Sequence, residues 1–142
     1  MPQSLFNLIT ILPLAFWISM ILFPKTLFTQ RMVMNYWVYI GLGILYAFTV
    51  IAFIATNLDI LTISFDSFRA ALTSDWGLLM VWTQLSIFNL FIAVWIFRDA
   101  KYWGIKPLWY LLLAYVLPPL ALSIYLFVRQ QKSKKDPIRH LN

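Results

Sequence analysis

The chain has no cysteine, no glutamate and a single histidine, His140, near its C-terminus. Without cysteine there can be no disulfide, thiol nucleophile or thiolate metal site, and the redox compartment leaves no trace in the sequence. All the acids are aspartates: Asp59, Asp66, Asp75, Asp99 and Asp136. So small an inventory is poor material for acid–base or metal chemistry, and no metal-ion site is expected. A glycine-rich phosphate loop, HExxH, CxxC and a Ser/His/Asp set are all missing. Charged residues amount to 11% of the chain, against about 25% in soluble domains.

What is present is apolar. Hydrophobic residues make up 62% of the 142 positions and aromatic residues 18%. A chain this short cannot hide that much apolar surface within itself, so the lipid bilayer is its first expected partner. The net charge of +6 then suits anionic headgroups rather than nucleic acid.

Four runs have the length needed to cross a bilayer, about 20 residues each. They are Ser4–Phe23, Tyr36–Thr56, Trp76–Phe97 and Pro107–Val128. A cleaved signal peptide competes for the first run, but the basic start and small-residue cleavage site are missing. The expected fold is all-α: a polytopic membrane protein of four transmembrane helices over residues 1–128, with a basic tail over 129–142. Prolines should kink the first helix and bend or break the fourth. Pro13 frees the carbonyl of Ile9, and Pro118 and Pro119 free those of Ala114 and Tyr115. Pro107 suits the first helical position, and Ser74 or Asp75 can cap the third span. Gly43 and Ala47, with Gly41 nearby, form a small-residue face for close helix approach. The stretch Phe65–Leu72 reads as an interfacial helix or a structured loop. Tyr36, Trp37, Trp76, Tyr102, Trp103 and Trp109 gather at span ends as an aromatic belt.

Four spans put both termini on one side. Lys and Arg then divide six against five, and only the density of the tail cluster favours a cytoplasmic or stromal C-terminus.

Polar side chains at bilayer depth are costly and point to function. Ser19, Thr49, Thr83, Ser86 and Ser123 can satisfy themselves on the preceding turn. Gln84 and Asn89 cannot do so as easily. They either hydrogen-bond between helices or hold a ligand, such as a polyene hydroxyl, a ring oxygen or the magnesium of a chlorin. At roughly 100° per residue they lie about 140° apart around the helix, which argues against one compact two-residue site. Arg98 and Asp99 close the third span as an interfacial polar cluster.

Two stretches, Pro24–Tyr46 and Trp82–Ala100, resemble the ABA4-like family of four-helix membrane proteins. Pro24, Lys25, Thr29, Arg31, Tyr39, Leu42, Gly43, Leu45 and Tyr46 match in the first, and Trp82, Leu90, Phe91 and Asp99 in the second. The family's plant member is implicated in forming the xanthophyll neoxanthin in plastids, and relatives occur in cyanobacteria. The resemblance implies a carotenoid-linked role in a thylakoid membrane, with carotenoid or chlorophyll as cofactor and a photosystem or other membrane complex as partner. The departures are specific. Gln84 stands where the family carries histidine, Asn89 where it carries aspartate, and Val94 where it carries arginine. An amide offers no titratable proton, so the expected role is a holder of pigment or an accessory subunit, with Trp82, Gln84 and Asn89 as candidate ligand residues. An enzyme of epoxy-carotenoid metabolism and a pigment-free assembly factor are the alternatives.

Overall fold

The computed structural model describes residues 2–57 and 64–135, so Asp59, Asp136 and His140 lie outside the described residues. Every element among the described residues is helical: α1 (Pro2–Leu22), α2 (Leu27–Met34), α3 (Tyr36–Thr56), α4 (Phe65–Thr73), α5 (Asp75–Trp103), α6 (Leu108–Val116) and α7 (Pro118–Lys135). Three of these are long and apolar enough to cross a membrane, over Gln3–Leu22, Tyr36–Thr56 and Asp75–Trp103.

Helix boundaries follow local chemistry. The side chains of Thr26, Asn35, Ser64 and Ser74 accept from backbone N–H groups at the starts of α2, α3, α4 and α5, satisfying donors that have no partner within the helix. Helix α2 was not expected from its composition. It folds back because buried Thr29 donates to the Ser19 carbonyl at 3.3 Å. Helix α5 outruns the expected Phe97 and ends at Gly104, whose φ of 60° needs no side chain. There the N–H of Ile105 donates to the Ala100 carbonyl at 2.8 Å, closing the helix with a Schellman bond. At 29 residues, α5 is about 43 Å long and exceeds the roughly 30 Å hydrocarbon layer.

Helix α5 is the hub against which α1, α3, α4, α6 and α7 pack. Small residues let the backbones close in: Ala93 and Ala100 on α5, Ala114 on α6 and Ala121 on α7 are fully buried. Among the described residues, no close approach is made at Gly41, Gly43 and Ala47, where one was anticipated. A Cβ on either glycine would meet nothing within 4 Å, and Ala47 is exposed. Leu42 and Thr49, buried residues of α3, are the ones that face its neighbour.

Gly77 is the glycine that packing requires. A Cβ there would overlap the Ala71 carbonyl oxygen, which is backbone and cannot swing away. Gly77→Ala is expected to lower stability by about 1–3 kcal/mol, read as a fall in Tm of the detergent-solubilised protein.

The fourth run, expected to bend or break at its prolines, is divided there into two helices, α6 and α7. Leu117 leaves helical geometry at φ −133°, ψ 69°, because a residue before proline is pushed out of the α region. Pro118 then opens α7, where its missing N–H costs nothing. The chain reverses at this point. Tyr110 of α6 and Tyr125 of α7 stand level, with ring centroids 5.3 Å apart. Along α7, Tyr125 meets Trp95, Arg129 meets Asp99 and Lys132 meets Gly104, so α7 runs parallel to α5. The pair α6–α7 is therefore an antiparallel hairpin that brings the end of α7 back to the end of α5. Pro13, by contrast, lies within an unbroken α1.

Candidate functional site

Asn89 sits near the middle of α5, on the face towards α1 and α6. It lines a cavity of about 220 Å³ together with Thr10, Trp17, Trp82, Ser86 and Tyr115. Pro13 and Leu14 form its α1 wall. The indole N–H of Trp82 donates to Thr10 Oγ1 at 3.1 Å, while Thr10 donates to the Phe6 carbonyl at 2.8 Å. This chain pins α1 to α5 at one end of the cavity, reinforced by the Phe6–Trp82 ring contact at 5.3 Å. At the other end Trp17 packs edge-on against Tyr115 at 5.5 Å. Between them, the side chains of Ser86, Asn89 and Tyr115 make no hydrogen bond to any described protein group.

Ser86 thus departs from the self-satisfied reading. Thr49, Thr83, Ser123 and Ser19 keep it: each donates to a carbonyl on the preceding turn, at 2.7 to 2.9 Å. Gln84 points the other way. Its Oε1 accepts from the Tyr46 hydroxyl of α3 at 3.3 Å, an interhelical bond rather than a share in the cavity. The expected separation of Gln84 and Asn89 around the helix is what the fold realises.

A second polar constellation lies at the far end of α5. Asp99 Oδ2 accepts from the Tyr125 hydroxyl at 2.5 Å and faces Arg129 Nε at 3.1 Å. The Arg129 guanidinium also sits 5.8 Å from the Trp95 ring and 5.5 Å from the Trp103 ring. Asp99 therefore does not pair with its sequence neighbour Arg98, which lies exposed beside Tyr39 along the groove between α3 and α5. The beginning of the basic tail is drawn in with it: Arg129 and Lys132 belong to α7, and Lys132 Nζ donates to the Gly104 carbonyl at 2.7 Å. No group of three His, Cys, Asp or Glu residues is placed to hold a metal ion among the described residues.

Sequence reasoning missed Thr10, Tyr115, Tyr125 and Arg129 as site residues. Thr10 carried a readable signal, a hydroxyl at bilayer depth three positions before a proline. Tyr115 is placed by the packing of α6 against α1 and α5, and Tyr125 and Arg129 by the α6–α7 reversal; no local pattern encodes either.

No curated protein and no solved structure matches the chain. The sequence profile of the ABA4-like family, described as ABA DEFICIENT 4-like, matches residues 4–125. That stretch holds nearly all of α1, the whole of α2 to α6, the cavity, Asp99 and Tyr125, and with most of its length matched the chain belongs to the ABA4-like family.

Proposed function

We propose that this protein sits in a photosynthetic membrane and holds, without turning it over, an oxygenated carotenoid whose polar end enters the cavity beside Asn89. Apolar side chains on the outside of α3, such as Ile44 and Ile51 at 66% exposure, suit a lipid environment. The bilayer arrangement is then three crossing helices with α6–α7 as a re-entrant pair. A partner complex of the photosystem kind would bury further parts of this surface.

The observation that carries the reading is Asn89 without a protein partner. Asn89 is half-buried; an amide without a partner costs up to about 1–3 kcal/mol when water is excluded from it, and acyl chains cannot relieve that cost. A hydroxyl or ring oxygen can, and Ser86 and Tyr115 offer two further contacts on the same cavity. Ligand pockets that enclose a whole drug-sized molecule run to roughly 300–1,000 Å³. The 220 Å³ here suits one ring end group, leaving the polyene along the apolar flank, and suits a flat tetrapyrrole less. Holding is favoured over catalysis because the cavity's polar groups are an amide, hydroxyls and an indole.

Purification in mild detergent, followed by an absorption spectrum, tests this. The native protein should carry a polyene spectrum, and Asn89→Leu should lower the pigment-to-protein ratio at least threefold, about the effect of one lost hydrogen bond. A colourless native protein that migrates with no complex overturns the reading.

The enzymatic alternative rests on the resemblance, which implies an aspartate in the family at the position that Asn89 holds on the cavity wall. Gln84→His with Asn89→Asp, assayed for epoxy-carotenoid conversion, separates the two. Conversion by the unaltered protein would make it an enzyme.

A further inference from the structure

Lys25, Lys101 and Lys106 come from three separate segments: the α1–α2 turn, the last turn of α5 and the α5–α6 connection. The fold brings all three to one pocket of about 470 Å³ at the end of the bundle. Gln30 joins them, its Nε2 donating to the Lys25 carbonyl at 3.4 Å. The floor is apolar, with buried Phe97 and half-buried Ile105, and no carboxylate lines the pocket. Asp99, the described acid at this end of α5, is engaged by Tyr125 and Arg129. It also lies about 200° around the helix from Lys101. Three ammonium groups gathered without an acid repel one another unless an anion sits among them.

We infer that this pocket binds the phosphate of an anionic phospholipid, its acyl chains running down the Phe97 side. Position and chemistry agree. The pocket lies at the level of Tyr102 and Trp103, where the aromatic belt of a bilayer protein meets the headgroups. Lysine binds phosphate as a mobile point charge with three donors, which suits a headgroup of variable orientation. A partly apolar floor under a basic rim favours a lipid over a purely soluble anion, because phosphate alone would leave half-buried Ile105 uncovered. Gly104 permits the arrangement: its left-handed backbone turns the chain so that Lys101 and Lys106 face the same space. The inference shares with the proposed function only the placement in a bilayer, and uses no residue of the Asn89 cavity.

The test is native mass spectrometry of the detergent-solubilised full chain, offered phosphatidylglycerol or phosphatidylcholine. The triple variant Lys25→Gln, Lys101→Gln, Lys106→Gln is compared with an equal charge loss elsewhere, Arg31→Gln, Arg69→Gln, Lys134→Gln. The native protein should retain phosphatidylglycerol over phosphatidylcholine. The pocket variant should lose it by roughly tenfold or more, while the control and a Lys→Arg triple at the pocket keep it. Equal loss in both glutamine variants, or no preference between the lipids, overturns the site. Displacement of the lipid by inorganic phosphate at comparable concentration overturns the lipid as its occupant. Helical circular dichroism verifies folding of each variant, and pigment content measured on the same samples shows whether the Asn89 reading stands or falls separately.

Discussion

A cysteine introduced at Gln131 is expected to react with a membrane-impermeant maleimide from the opposite side of the bilayer to cysteines at Gln3 and Thr73. The native chain has no cysteine, so each variant reports one site without background, and all three positions are exposed. The argument rests on the reversal at Leu117. If residues 107–128 crossed as one helix, Gln131 would label together with Gln3 and Thr73. In the observed fold α7 returns beside α5 to the end where α1 finishes and α3 begins. The effect is all-or-none, and co-labelling of Gln131 with Thr73 would refute the hairpin.

The same reversal changes the charge arithmetic. Lys25, Arg31, Arg98, Lys101, Lys106, Arg129, Lys132 and Lys134 now belong to one end of the bundle, and Arg69 of α4 to the other. The even division of a four-span chain becomes a strong bias. By the positive-inside rule the Lys-rich end, and Gln131 with it, should label from the cytoplasmic or stromal side.

The second large effect is expected at Asp99. Asp99→Leu removes the acceptor of the Tyr125 hydroxyl and the counter-charge of Arg129. Removing one member of a buried pair costs about 3–5 kcal/mol, because the other charge stays behind unpaired. With Asp99 at 16% and Arg129 at 34% exposure, solvent relieves part of this, and a loss of about 2–3 kcal/mol is expected. Arg129→Leu alone should cost less, since the Asp99 carboxylate keeps the Tyr125 hydroxyl. It also gives up the contacts to Trp95 and Trp103, each worth roughly 0.5–1 kcal/mol. The double variant should be less destabilised than the sum of the singles. The direct readout is the docking of α7: trypsin should cut after Lys132 and Lys134 faster in Asp99→Leu than in the native protein. Unchanged proteolysis and unchanged Tm would mean that alanine packing at Ala100 and Ala121, not the ion pair, holds the hairpin.

How much of this was readable depended on whether a feature is local. Helix α3 coincides with the expected Tyr36–Thr56, because an apolar run between Asn35 and Asn57 carries its own start and stop. The Ser74 cap and the helical reading of Phe65–Leu72 were equally legible, since a cap needs only the next few residues. Boundaries slipped where a charge had been taken as a helix end. Helix α5 runs past Arg98 and Asp99 because Asp99 finds Tyr125 and Arg129 far along the chain. Gln84 and Asn89 stand out in the sequence as amides needing partners, yet nothing local could say that Gln84 has one in Tyr46.

Composition and hydropathy were enough for helices throughout the described elements, three of them long and apolar enough to cross a membrane, because secondary structure in lipid is forced by backbone hydrogen bonding within each segment. They were enough, too, for the prolines at 118 and 119 to mark a break. What the break does was a matter of packing. A helix interrupted at mid-depth can continue across or fold back, and both satisfy the same local rules. The choice went to folding back because Ala114 and Ala121 let the hairpin close against α5, and because Arg129 and Lys132 meet partners only there. The Asp99 ion pair and the return of the tail's positive charge to the end of α5 follow from that reversal.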